Sequence, residues 1–276
     1  MVNVFEYTDY RRFLDDYQKE QREVNPVFSH RYFAQKAGFS STGLFSNILK
    51  GRRNLTPSLI ARFAKAMKLS KKEEEYFECL VLFNQARTLD EKNRYYERML
   101  QTSPLDMEVI DKDCYEFYTH WWHSAIRELL YYYNFKDDYA RLARKLDPPI
   151  RPEQAKKAIA TLEKLGMIER DSEGFYRQST KVITTGKDYV RSLQVANFQA
   201  ATIELARESL DRHVKEQRDI STLTLTLSRE SLQKIKLEID ALQRRILKIV
   251  EADEAVNSVY QVNFQLFPLT RQEQDA

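Results

Sequence analysis

Between Val24 and Lys72 the chain has no aspartate and no glutamate, although over all 276 residues its acids and bases nearly cancel to a net charge of +3. A segment so depleted of one sign excludes an even mixture of surface charge and points to a polyanionic partner for that part alone. Cysteine is also scarce. Cys79 and Cys114 are the only two, which excludes a disulfide framework and fits reduced thiols. Six glycines and seven prolines are too few for a disordered or loop-rich protein and leave long helices with short connections. No apolar run approaches the length of a membrane span and no basic-then-apolar leader opens the chain. The expectation is therefore a cytoplasmic protein with no membrane partner.

Chemistry is missing too. There is no Walker-type glycine loop, no dinucleotide fingerprint, no His-Glu-x-x-His and no Cys-x-x-Cys, so neither an enzyme, a catalytic residue nor a cofactor is expected. The best metal candidate is Cys114 with His120 and His123, since histidines three apart share a helical face. Cys114 lies too far along to join them easily, and Trp121 and Trp122 between the histidines suggest packing. No metal site is assigned. His30 and His213 are isolated and read as surface.

What is present centres on residues 29–54. Ser29 is placed to cap a short helix to Lys36 with Tyr32, Phe33 and Ala37 on one face, and Gly38 supplies the turn. Ser40 or Ser41 then caps a second helix through about Leu49, with Leu44, Ile48 and Leu49 turned inward. This spacing is that of a helix-turn-helix, which leaves Ser41, Thr42, Phe45, Ser46 and Asn47 to face a groove. Arg31, Lys36, Lys50, Arg52, Arg53, Arg62, Lys65, Lys68, Lys71 and Lys72 supply the positive charge of the acid-free stretch. Lysine and arginine displace counterions from phosphates, while small polar side chains read base edges. Arg31, Lys50, Arg52 and Arg53 are the nearest candidates for phosphate contacts. The bland reading is a solvated basic face on an ordinary helical domain.

Around this unit, residues 1–23 read as an amphipathic helix with Tyr7, Tyr10, Phe13, Leu14 and Tyr17 on one face. Thr56-Pro57 opens a helix as cap and first turn, with Leu59, Ile60, Phe63, Ala64 and Met67 as its buried stripe. Ser70 caps another, whose apolar run from Leu80 to Phe83 implies contact on more than one side. Residues 89–100 continue helically to a break at Ser103-Pro104. The sign of the charge then reverses, from Asp106 to Glu116, in a patch that should avoid DNA. The aromatic run from Tyr115 to Phe135 has apolar residues nearly all round a helix and reads as core rather than a ligand pocket.

Asp137-Asp138 begins a helix that Pro148-Pro149 stops, and Pro152 begins another with Ala155, Ala158, Ile159, Leu162 and Leu165 inward, ended by Gly166. Two short strands follow, 167–170 and 174–178, joined by a turn at residues 171–174. Helix, helix and two-stranded wing is the pattern of a winged helix. Arg151, Gln154, Lys157 and Thr161 would lie on its reader face, with Arg170, Arg177 and Lys181 on the wing. Interleaved acids dilute this charge, so a docking or spacer module fits nearly as well.

The last third opens with a helix over residues 187–216 that has Ala196, Ala200, Ile203, Ala206 and Leu210 on one side. Leu223, Leu225 and Leu227 then alternate with threonines as a strand with one buried face. Ser228 caps a further helix in which Leu232, Ile235, Ile239, Leu242, Ile246 and Ile249 recur at coiled-coil spacing. A final strand, 259–267, places Val262, Phe264 and Leu266 inside and Gln261, Asn263 and Gln265 outside. This tail either pairs two copies or packs its seam on the strands within one chain.

Taken together, DYRRFLDDY (9–17), FSHRYFAQKAGFSS (28–41), GRRNLT (51–56), KKEEEYFECLVLFNQA (71–86), LEKLGMIERDSEGFYRQ (162–178), RDISTLTLTLS (218–228) and VYQVNFQLFPLT (259–270) resemble a family of bacterial proteins first noted as a large paralogous set in Fibrobacter and regarded as transcriptional regulators. The resemblance implies a helix-turn-helix protein with a winged-helix-like middle and a shared tail. It transfers no catalytic residue. The expected architecture is mostly α: a helical helix-turn-helix domain over 1–100, a winged-helix-like domain over 101–186, and an α-β-α-β dimerisation or sensing domain over 187–276. The expected function is transcription regulation by binding double-stranded DNA as a homodimer, with room for a small-molecule or protein effector. An adaptor whose helix-turn-helix folds dock proteins is the rival. An RNA binder would want an exposed aromatic platform that the pattern lacks.

Overall fold

In the computed structural model, which describes residues 2–41, 43–103, 115–179 and 188–271, the chain is mostly helical, with one small antiparallel pair of strands. Local signals set most of the element ends. Asn3 caps a single 3-10 turn, Val4–Glu6, and Asp9 then restarts the chain as α1, Tyr10–Val24, its carboxylate accepting from the Arg11 and Arg12 N–H groups. One continuous helix from the N-terminus is thus corrected: two capping side chains six residues apart divide it. Ser29 caps α2, His30–Lys36. After a turn comes α3, Leu44–Leu49, and then α4, Pro57–Met67, with Thr56 as cap and Pro57 in its first turn.

Helix α5, Lys71–Gln85, starts with a reciprocal capping box between Ser70 and Glu73. Tyr76, Phe77, Cys79, Leu80, Val81 and Phe83 are all buried, so the helix is covered on more than one side as expected. Its far end clamps the neighbouring backbone. Asn84 accepts from the Tyr10 N–H at 2.8 Å and donates to the Thr8 carbonyl at 2.9 Å. Gln85 pairs with both backbone groups of Leu55, at 2.8 and 2.9 Å. These amides fix the start of α1 and the exit from α3 to one scaffold. Helix α6, Leu89–Thr102, carries a second capping box, Thr88 with Glu91, and lies along α5.

Two clusters of buried side chains form. The first runs from Val4 to Met99 and also takes in Tyr115 and Leu193. The second runs from Phe117 to Tyr176. The aromatic run does not make one helix: residues 115–119 are helical, the chain breaks at His120, and α7 follows, Trp122–Leu129. The His120 ring stacks on Trp122 at 4.3 Å across that break. Asp138 caps α8, Tyr139–Lys145, and Pro152 opens α9, Pro152–Lys164. Ala155, Ala158, Ile159, Leu162 and Leu165 are buried in the expected stripe. Thr161, expected outside, is buried as well. Strands β1, Ile168–Arg170, and β2, Tyr176–Gln178, pair antiparallel with Glu169 opposite Arg177.

Helix α10, Asp188–Arg212, joins the clusters to the tail. Its expected apolar side is not the covered one. Leu193, Gln194, Asn197 and Thr202 are buried, while Ile203 and Leu210 are exposed. The cause is a polar contact: Asn93 on α6 and Asn197 exchange amide hydrogen bonds at 2.8 Å in both directions, and the Tyr115 hydroxyl donates to Asn93. At the far end, Asp147 pairs with Arg212 at 2.8 Å and with His213 at 2.6 Å. Helix α11, Arg229–Glu251, has its expected Ser228 cap. The two expected strands flanking it form no ladder among the described residues, and Leu223, Leu225, Val262 and Phe264 are exposed. The reason is want of a partner, since a strand exists only where its backbone groups are paired. In the second of them Asn263, expected outward, is the more covered residue, donating to the Thr202 carbonyl at 2.9 Å.

Candidate nucleic-acid interface

An aromatic cluster sets the geometry of α2 and α3. Phe33 of α2 lies 4.8 Å from Phe45 of α3 and 5.1 Å from Phe63 of α4, and Phe45 stacks on Phe63 at 5.7 Å. All three rings are fully buried. Phe45 is therefore a packing residue, which corrects its placement toward a groove. The second helix also starts later than expected, with Gly43 at its N-cap position and no side-chain cap bond. Tyr32, expected on the inner face of α2, is exposed.

The turn between the helices is held from outside. Gly38 has φ +72° and Gly51, at the end of α3, φ +71°, both in the left-handed region that favours glycine. Arg62 donates from Nε to the Ala37 carbonyl at 2.9 Å and lies over the Phe39 ring. Arg11 donates to the Ile48 carbonyl at 3.0 Å and to Asn54 at 2.8 Å, bringing a cation to the C-terminus of α3 where the helix dipole favours it. Sequence reading missed this role for Arg11, which sits 37 residues before the carbonyl it holds. The Arg52 and Arg53 N–H groups fold back onto the Asn47 carbonyl, at 2.9 and 3.2 Å. That leaves both side chains exposed just beyond the helix.

Of the expected contact residues here, Arg31, Ser41, Lys50, Arg52 and Arg53 are exposed and Ser46 and Asn47 are half-buried. Thr42 lies outside the described residues, as do Lys181, Cys114 and the acidic patch from Asp106 to Asp113. None of the ten cations from Arg31 to Lys72 stands in an ion pair among the described residues. Burial and then the nearby Lys68 charge push the Lys36 pKa down, and burial followed by Arg22 and Lys50 does the same to His30. His30 is also tied to Gln18 at 2.7 Å and packs on Phe45.

The second expected face differs in chemistry. Gln154 spends its carbonyl oxygen on the Arg151 N–H at 2.9 Å, capping α9. Lys157 pairs with Glu116 at 2.5 Å. On the strand pair, Arg177 is bound by Asp171 at 3.0 Å and Asn134 at 2.7 Å, and Arg170 by Asp137 at 3.2 Å. Only Arg151 among these is exposed without an ion pair among the described residues. No group of three or more potential metal ligands occurs among the described residues, and His123 is buried with its Nδ1 against the His120 carbonyl. No described helix is long and apolar enough to cross a membrane.

A family described as a domain of unknown function (DUF4423) matches residues 103–269, more than half of the chain, and the chain belongs to it. Comparison with curated proteins and with solved structures gives no match.

Proposed function

We propose that this member of the DUF4423 family is a bacterial transcriptional regulator, and that it binds double-stranded DNA through residues 29–53, outside the matched part of the chain. In this reading α2 and α3 are a helix-turn-helix and α3 is the reader. Arg31, Lys50, Arg52 and Arg53 contact phosphates, and Ser41, Thr42, Ser46 and Asn47 address base edges. The observation that carries it is the set of ten cations, none ion-paired among the described residues, on a unit whose core and turns are tightly held. A free cation releases counterions when it meets a phosphate, whereas one already paired to a carboxylate gains much less.

By the same reasoning the unit from α8 to β2, read as a winged helix, is a weaker DNA contact or none. Arg170, Arg177 and Lys157 are already matched by carboxylates, which favours a docking or spacer role for that unit. Capture of genomic fragments by the purified full-length chain tests the proposal. Recovered fragments sharing a common short sequence support it, and a uniform spread over the genome, unchanged by Ser46→Ala with Asn47→Ala, contradicts base reading by α3.

A further inference from the structure

Past Thr202 no described residue is buried, although the sequence there is rich in large apolar side chains. Helix α11 buries none of its residues. Leu223 is 82% exposed, Tyr260 74% and Ile249 71%. Monomeric proteins rarely show contiguous apolar patches beyond a few hundred Å². Within α11, Leu237, Leu242, Leu247, Ile249 and Val250 are exposed, while Leu232, Ile235, Ile239 and Ile246 are half-buried. In the two segments beside α11, residues 219–227 and 259–267, no backbone–backbone hydrogen bond is made among the described residues. Both nevertheless carry strand alternation, with Leu223, Leu225 and Leu227 on one face of the first and Tyr260, Val262, Phe264 and Leu266 on one face of the second.

We propose that this tail is a self-association surface whose occupant is a second copy of the chain, seated antiparallel on α11. The spacing of the seam selects that occupant. Leu232, Ile235, Ile239, Leu242, Ile246 and Ile249 are separated by steps of 3, 4, 3, 4 and 3, a series that reads the same in both directions. An antiparallel copy therefore aligns the whole seam: Leu232 faces Ile249 of the second copy, Ile235 faces Ile246, and Ile239 faces Leu242. The flanking charges agree. In that register Glu238 faces Arg245 of the second copy, twice by symmetry, and on the other flank Lys236 faces the uncharged Gln243. The copy also supplies the ladder partners that the two alternating segments lack within one chain. This pairing is independent of DNA and would hold two readers in one assembly.

Sedimentation of the full-length chain without DNA tests it, whether or not the chain binds DNA. The expected wild type is a dimer at micromolar concentration. Glu238→Arg and Arg245→Glu should each raise the dimer dissociation constant about fivefold by turning two attractions into repulsions. The double variant should return to the wild-type value, since it restores both contacts. A wild type that stays monomeric at micromolar concentration overturns the proposal. So do single variants that dimerise like wild type, or a double variant weaker than either single one.

Discussion

Replacing Phe45 by alanine separates a core role for this residue from a groove-facing one. Its ring is fully buried and meets Phe33 at 4.8 Å, His30 at 5.0 Å and Phe63 at 5.7 Å. Truncating such a phenylalanine costs about 3–5 kcal/mol through lost transfer energy and the cavity left behind. That is a large part of the roughly 5–15 kcal/mol that holds a domain folded. At about 4–8 °C per kcal/mol for a unit of this size, the melting temperature should fall by at least ~12 °C. Thermal unfolding followed by far-UV circular dichroism measures it. The molecule provides an internal control, because Trp121 and Trp122, its only tryptophans, both pack against the other cluster. Tryptophan fluorescence should therefore report a transition that moves less than the dichroism. If Phe45→Ala shifts the dichroism transition by no more than the ~0.5 kcal/mol usual for a surface substitution, the packing described for α2 and α3 is wrong.

Acid should destabilise the second cluster through His123, whose pKa burial pushes down to about 4 from an ordinary 6.5. Above about pH 6.5 the ring is neutral folded and unfolded. As pH falls below that, the unfolded chain takes up the proton first, so about 3 kcal/mol is lost on approaching pH 4. The tryptophan-detected transition should show this loss, and His123→Phe should lose markedly less over the same pH range; equal slopes in both proteins would refute it. Gly38→Ala should cost about 1–2 kcal/mol because its φ of +72° is unfavourable for alanine, and the new methyl also meets the Arg62 Nη2 at 3.2 Å. Gly38→Asn should cost less, and denaturant titration giving alanine no penalty would show that the turn is not held as described.

The parts of this fold that were legible in the sequence are those decided within a few residues. Ser29, Thr56 with Pro57, Ser70, Asp138 and Pro152 all start helices where their side chains predict, and Gly38, Gly51 and Gly166 all have positive φ. Phe45 was not legible because α3 has six residues, too few for periodicity to choose a face. The Arg11 and Gln85 contacts span 37 and 30 residues, and local pattern carries no trace of them. Interleaved acids dilute the charge of the strand-pair arginines in the sequence, but which acid meets which arginine depends on the fold: the turn brings Asp171 to Arg177 and the start of α8 brings Asp137 to Arg170. In the tail, alternation marked which side chains share a face. It could not say whether a partner strand lies in the same chain.

The phosphate contacts proposed for the cations around α3 are tested by the salt dependence of duplex binding by wild type and by Arg52→Ala with Arg53→Ala. Each phosphate contact adds roughly 0.9 to the slope of log affinity against log salt. The double variant should bind every duplex more weakly, with a slope shallower by about 2, while its unfolding transition stays within ~0.5 kcal/mol of wild type. Wild-type binding that is absent at low salt, or a variant with unchanged affinity and slope, would contradict the account.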